Sequence, residues 1–149
     1  MWLKIFKVMW VVSLAALLAT FFYVYASLPQ DVVVSERNEV IKFSREALFY
    51  MTLAVIALAN ASVFAVTRIF PRGAHEFKTW FYGLIMLANV FFIVSLDFIS
   101  LYNSAEKFDY SSIGFIIYGS IALLAGWAVG WPVYQLSKRF LGKMEVPQN

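Results

Sequence analysis

The chain has 149 residues, of which 62% are apolar, 19% aromatic and only 14% charged, and it contains no cysteine. Soluble domains carry roughly 45–50% apolar and about 25% charged residues, so this composition leaves too little polar surface to cover a globule in water. It disfavours a disordered chain, a disulfide scaffold, a thiolate metal site and a soluble enzyme core.

Four long runs that hold at most one charge each predict four membrane-spanning helices. A helix needs about 20 largely apolar residues to cross roughly 30 Å of hydrocarbon, whereas a barrel would show alternating segments of about 10 residues. We therefore predict an all-α fold, a polytopic membrane protein built as one four-transmembrane-helix bundle. The spans are expected near residues 5–27, 47–69, 79–102 and 113–136.

The first span has some features of a cleaved signal peptide. Lys4 and Lys7 precede its apolar stretch, and Val24-Tyr25-Ala26 resembles a cleavage site. The apolar stretch is nevertheless longer than the roughly 7–15 residues usual for a signal. We expect the segment to be retained as an anchor.

The segment that follows, residues 28–46, is the longest predicted loop. Residues 32–34 and 40–43 are rich in Val and Ile and flank a polar stretch, which predicts a small hairpin lying over the bundle. Ser44 and Glu46 then predict the N-cap and first-turn acid of the second span. Such a hairpin is interpreted either as a simple lid or as a surface on which a partner docks.

The second and third spans each contain Leu-Ala-Asn near the middle of the membrane, ending at Asn60 and Asn89. Antiparallel neighbours would bring the two amides to a similar depth, where they can bond to each other for about 1 kcal/mol. The alternative is a polar lining for a pathway through the bundle.

Asp97 is the only charge away from the ends of the four predicted spans, since Lys7 and Arg68 lie near span ends. An acid inside a membrane is a candidate functional residue, because burying it costs several kcal/mol unless it is paired or protonated. Thr52 and Tyr118 are expected in its layer as hydrogen-bond partners, and Lys42, Arg45 and Lys107 are the nearest cations. A structural anchor and a proton or cation site both remain open.

Small residues recur on three of the spans, including Ala15 and Ala19 in the first, and are expected to mediate helix packing, since they allow close approach of two backbones in lipid. We expect these faces to pack against each other within one chain; the alternative is contact with another subunit. The other residues are Gly119, Ala122, Gly126 and Gly130 in the fourth span and Ala57, Ala61 and Ala65 in the second.

Basic residues predict the orientation of the bundle. Eight Lys and Arg fall on the side of the two termini and four on the other side, so both termini are expected in the cytoplasm. This asymmetry accounts for the net charge of +3 without any nucleic acid. All five Trp are likewise placed in the cytoplasmic half, as an aromatic belt.

The motifs of hydrolases, phosphate loops and metal sites do not occur in the sequence, and the single histidine, His75, is interpreted as a solvated loop residue. We therefore predict that the protein is not an enzyme and has no cofactor. An accessory or scaffold subunit of a larger membrane assembly is favoured, in a bacterial cytoplasmic (inner) membrane. Its expected partners are the lipid bilayer and other membrane subunits or further copies of itself. The alternative is a small transporter or channel component that uses Asp97.

One passage resembles a known family. Leu28-Pro29-Gln30-Asp31-Val32 closes the first span and leads through Phe43-Ser44-Arg45 into the second. This arrangement is similar to the first hairpin of the SdpI-like bacterial membrane proteins, although the His and Gly that usually follow the Leu-Pro motif are missing. The resemblance implies an immunity or signalling role in a bacterial inner membrane and assigns no functional residue.

Overall fold

The computed structural model describes residues 1–35, 41–70, 73–104 and 110–144. Its elements are four helices and a small hairpin between the first two. All four helices are long and apolar enough to cross a membrane, which confirms the predicted helical class and fits the four predicted spans. In chain order the elements are α1 (Trp2–Ser27), β1 (Asp31–Ser35), β2 (Ile41–Ser44), α2 (Arg45–Ile69), α3 (His75–Tyr102) and α4 (Tyr110–Met144).

The third helix is the centre of the bundle. α1, α2 and α4 all pack against α3, whereas α1 and α2 meet each other only briefly. The buried residues of α1 recur every three or four positions, as expected of a helix that buries one stripe. That stripe consists of Trp10, Ser13, Leu17, Phe21 and Val24.

Apolar side chains form two buried clusters with a polar layer between them. The cluster nearer the hairpin contains Leu17, Phe21, Val24, Leu28, Val32, Ile56 and Leu96. The cluster at the opposite end contains Trp10, Val63, Tyr82 and Ile85. Ser13, Asn60 and Asn89 are the buried polar residues, and their positions along the helices place them between the two clusters.

The hairpin is held against the end of the bundle. β1 and β2 pair antiparallel, with Val32 opposite Phe43 and Val33 opposite Lys42, and Val32 is fully buried in the adjacent cluster. At the start of α2 the hydroxyl of Ser44 accepts a hydrogen bond from the N–H of Ala47, so Ser44 is the predicted N-cap. The polar stretch predicted between the strands is residues 35–39, and all of it except Ser35 lies outside the described residues.

The small residues do not pack against each other within one chain, and this expectation was wrong. Ala57, Ala61 and Ala65 are exposed, because α2 turns a different side, Ile56 and Asn60, towards α3. On α4, Ala122 is exposed, and nothing lies within 4 Å of where a Cβ would stand at Gly119, Gly126 or Gly130. A stripe of small residues therefore did not predict which side of these two helices packs within the chain.

Candidate functional site

The polar layer joins three helices through side-chain amides. Asn60 on α2 donates from Nδ2 to Oδ1 of Asn89 on α3 at 2.9 Å, and Asn89 donates back to Oδ1 of Asn60 at 3.1 Å. Asn89 is completely buried and Asn60 is 6% exposed. The two Leu-Ala-Asn repeats thus meet directly, as their similar depth predicts.

Two residues of α1 complete this layer. Trp10 donates its indole N–H to Oδ1 of Asn60 at 2.8 Å, and Asn89 donates to the hydroxyl of Ser13 at 3.1 Å. Ser13 in turn donates to the carbonyl of Trp10 at 2.8 Å. Neither residue was predicted to belong to this layer, because Trp10 was assigned to the aromatic belt. Trp10 and Ser13 lie three residues apart on the buried stripe of α1, and this spacing could have identified them.

The layer is suited to holding helices together. Its side chains are amides, a hydroxyl and an indole, none of which titrates near neutral pH. Interhelical hydrogen bonds of this kind set the depth and rotation of membrane helices relative to one another and contribute about 1 kcal/mol each. We interpret Asn60 and Asn89 as a structural lock between α1, α2 and α3.

Among the described residues, Asp97 does not contact the hydrogen-bond partners that its depth in the membrane predicts. Its side chain is exposed, and among the described residues none donates a hydrogen bond to it or forms an ion pair with it. Thr52 instead borders a small cavity between α1 and α2, and Tyr118 is 75% exposed on α4. The predicted hydrogen-bonded layer around Asp97 is therefore wrong, because Asp97 and Tyr118 are exposed whereas Thr52 borders the cavity.

The predicted cations do not approach Asp97 either. The guanidinium of Arg45 donates to the carbonyl of Leu28 at 3.3 Å and lies 5.3 Å from the ring centroid of Tyr25. Lys42 is exposed on β2, and Lys107 lies outside the described residues. The carboxylate of Asp97 therefore stands on the surface of its span without a neutralising neighbour in the described part of the chain.

Two tryptophans attach α4 to α3. The indole of Trp80 donates to the carbonyl of Trp127 at 2.8 Å, and the indole of Trp127 donates to the carbonyl of Trp80 at 2.9 Å. Trp131 stacks on Trp80 with ring centroids 5.3 Å apart. Gly83 provides the space for this contact, since a Cβ there would stand 2.6 Å from the Trp127 ring.

An open groove of about 830 Å³ lies beside this contact, between the first residues of α1, the beginning of α3 and the later half of α4. Aromatic rings form one part of its wall, and the small residues of α4 form another. Two exposed polar residues, His75 and Glu76, lie at the beginning of α3. The groove is lined by Phe6, Trp80, Trp127, Trp131, Ala122, Gly126 and Gly130, among others.

The described ranges contain no group of three His, Cys, Asp or Glu side chains that could hold a metal ion.

Comparisons with known proteins do not add a family: no family model, no curated protein and no solved structure matches this chain.

Proposed function

We propose that this chain is a non-catalytic integral membrane protein that serves as an accessory or scaffold subunit of a larger membrane assembly. The observation that carries the proposal is the open small-residue side of α4, where nothing lies within 4 Å of a Cβ placed at Gly119, Gly126 or Gly130. The proposed setting is a bacterial cytoplasmic membrane with both termini inside.

Lipid provides no ordinary hydrophobic force between helices. Helices associate there through close packing, and small residues permit the closest approach of two backbones. Within the chain, α4 has one main neighbour, α3. Its small-residue side is therefore available to a helix of another chain.

The polar core supports the same proposal. The side chains of Asn60, Asn89, Trp10 and Ser13 bond to one another, so their hydrogen-bonding groups are already occupied. A transport path needs polar groups that can exchange a solute or a proton. A binding subunit needs only a stable bundle that presents an outer surface.

The test is the mass of the native particle after extraction in a mild detergent, with its component chains identified. Gly126→Leu places a large side chain on the open stripe, and Ala125→Leu places the same side chain 100° around the helix, at a position that is also exposed. We expect wild type and Ala125→Leu to remain in a complex with other membrane subunits and Gly126→Leu to be released. A wild-type particle that contains a single copy of this chain would refute the proposal.

The resemblance to the SdpI-like proteins leads to a separate hypothesis, an immunity or signalling role. It is tested by deleting the gene and challenging the cells with membrane-active toxins, and protection that survives Gly126→Leu would favour it over the assembly role.

A further inference from the structure

Three residues on one side of α3 connect the groove with Asp97. Thr79, Val90 and Asp97 are separated by 11 and 7 residues, which are close to three and two helical turns, so they share one side of the helix. Thr79 lines the groove, Val90 is 41% exposed, and Asp97 is exposed. The groove and the unpaired carboxylate therefore lie on the same side of the bundle.

The two ends of this line are far apart. Thr79 and Asp97 are 18 residues apart, which corresponds to about 27 Å along a helix at about 1.5 Å per residue. The hydrocarbon core is about 30 Å thick, so one leaflet accounts for about 15 Å. A single lipid in one leaflet cannot occupy the groove and also reach Asp97, whereas a transmembrane helix can do both.

The charge of Asp97 specifies the chemistry of that helix. A carboxylate within a span is costly unless it is paired, and the guanidinium of Arg45, one of the cations expected to pair with Asp97, instead contacts Leu28 and Tyr25. A Lys or Arg side chain on that helix would form an ion pair with Asp97, so that both charges are neutralised.

We infer that a transmembrane helix of a partner protein lies along the side of α3 that carries Thr79, Val90 and Asp97, packs in the groove against Gly126, and pairs a Lys or Arg side chain with Asp97. The inference names the partner class for the assembly role and rests on that proposed function. It gives Asp97 a recognition role, since a helix without the cation would leave the carboxylate unpaired.

The test uses synthetic transmembrane peptides of Leu and Ala that carry one Lys at the depth of Asp97, with one peptide for each direction of insertion. Control peptides have Leu in place of that Lys. Binding is measured by energy transfer in neutral phosphatidylcholine vesicles, from a donor dye at Ser137→Cys, an exposed position in a chain that has no other cysteine. The full-length protein is compared with its Asp97→Asn and Asp97→Glu variants.

We expect one of the Lys peptides to bind wild type and Asp97→Glu about tenfold more tightly than Asp97→Asn, a ratio in the range measured for polar contacts between membrane helices. The Leu peptides should not distinguish the three proteins. Equal binding of the Lys peptides to wild type and Asp97→Asn, or no binding to wild type, would overturn the inference.

The two proposals fail in different ways. One outcome is that the native particle contains other subunits and loses them with Gly126→Leu, but the Lys peptides bind wild type and Asp97→Asn equally. The assembly role then stands, and the inference of a cationic partner helix is wrong. If the native particle is a single chain, the assembly role itself is wrong.

Discussion

Trp80 and Trp127 hold two helices together by exchanging identical hydrogen bonds. Each indole N–H reaches the main-chain carbonyl of the other residue, at 2.8 and 2.9 Å. Carbonyls within a helix are already bonded to the following turn, so these contacts add to the helical hydrogen bonds without replacing them. The pair satisfies both indoles at the interface where α4 packs against α3.

Gly83→Ala should separate this contact. The added Cβ would stand 2.6 Å from the Trp127 ring, and that ring cannot move aside without breaking its hydrogen bond to Trp80. Overpacking of this kind costs about 1–3 kcal/mol, measured as the free energy of unfolding in mixed micelles.

Gly126→Ala is the matched control for that prediction. It makes the same chemical change on α4, where nothing lies within 4 Å of the new atom. Alanine favours a helix over glycine by about 1 kcal/mol, so this variant should be as stable as wild type or slightly more stable. Equal losses for the two variants would show that the Trp127 contact is unimportant.

Asn89→Ala should weaken the lock between three helices. It removes the bonds of Asn89 to Asn60 and Ser13 from a completely buried site, and we expect a loss of about 1–2 kcal/mol in unfolding free energy. Ser95→Ala is the control, because the Ser95 hydroxyl bonds only to the Phe91 carbonyl in its own helix. In a double variant that also carries Asn60→Ala, the loss of unfolding free energy should be about 1 kcal/mol smaller than the sum of the two single losses. A loss equal to that sum would contradict the direct pairing of the two amides.

Asn103→Leu should release the hairpin from the end of α3. The Asn103 side chain accepts from the N–H of Val33 at 2.8 Å and donates to its carbonyl at 3.0 Å, in the manner of a neighbouring strand. Two such bonds contribute roughly 1–3 kcal/mol, so hydrogen exchange at the Val33 amide should accelerate at least tenfold. Ser104→Ala, which removes a bond to Leu101 only, should leave that exchange rate unchanged.

Orientation can be measured directly because the chain has no cysteine. We expect Lys42→Cys on β2 to react with a membrane-impermeant maleimide in intact cells, and His75→Cys at the start of α3 to react only after the membrane is opened. Both positions are exposed, so accessibility does not limit either reaction. The reverse pattern would place the termini outside.

The pattern of apolar and charged residues was sufficient to predict the helical class, the four long apolar helices and their approximate bounds. Charge-free runs of sufficient length admit few other structures, because every backbone polar group must be satisfied within the hydrocarbon. Depth alone also predicted that Asn60 and Asn89 would meet, and local chemistry predicted Ser44 as the N-cap.

Only the tertiary structure decided how each helix is rotated about its axis. Rotation depends on which stripe finds a complementary neighbour, and the α1 stripe with Trp10 and Ser13 was the one that matched the two asparagines. The same choice left Gly126 on an open side of α4 and Asp97 away from Thr52. A sequence read in one dimension specifies height in the membrane, whereas the direction of each side chain is set by packing among all the helices together.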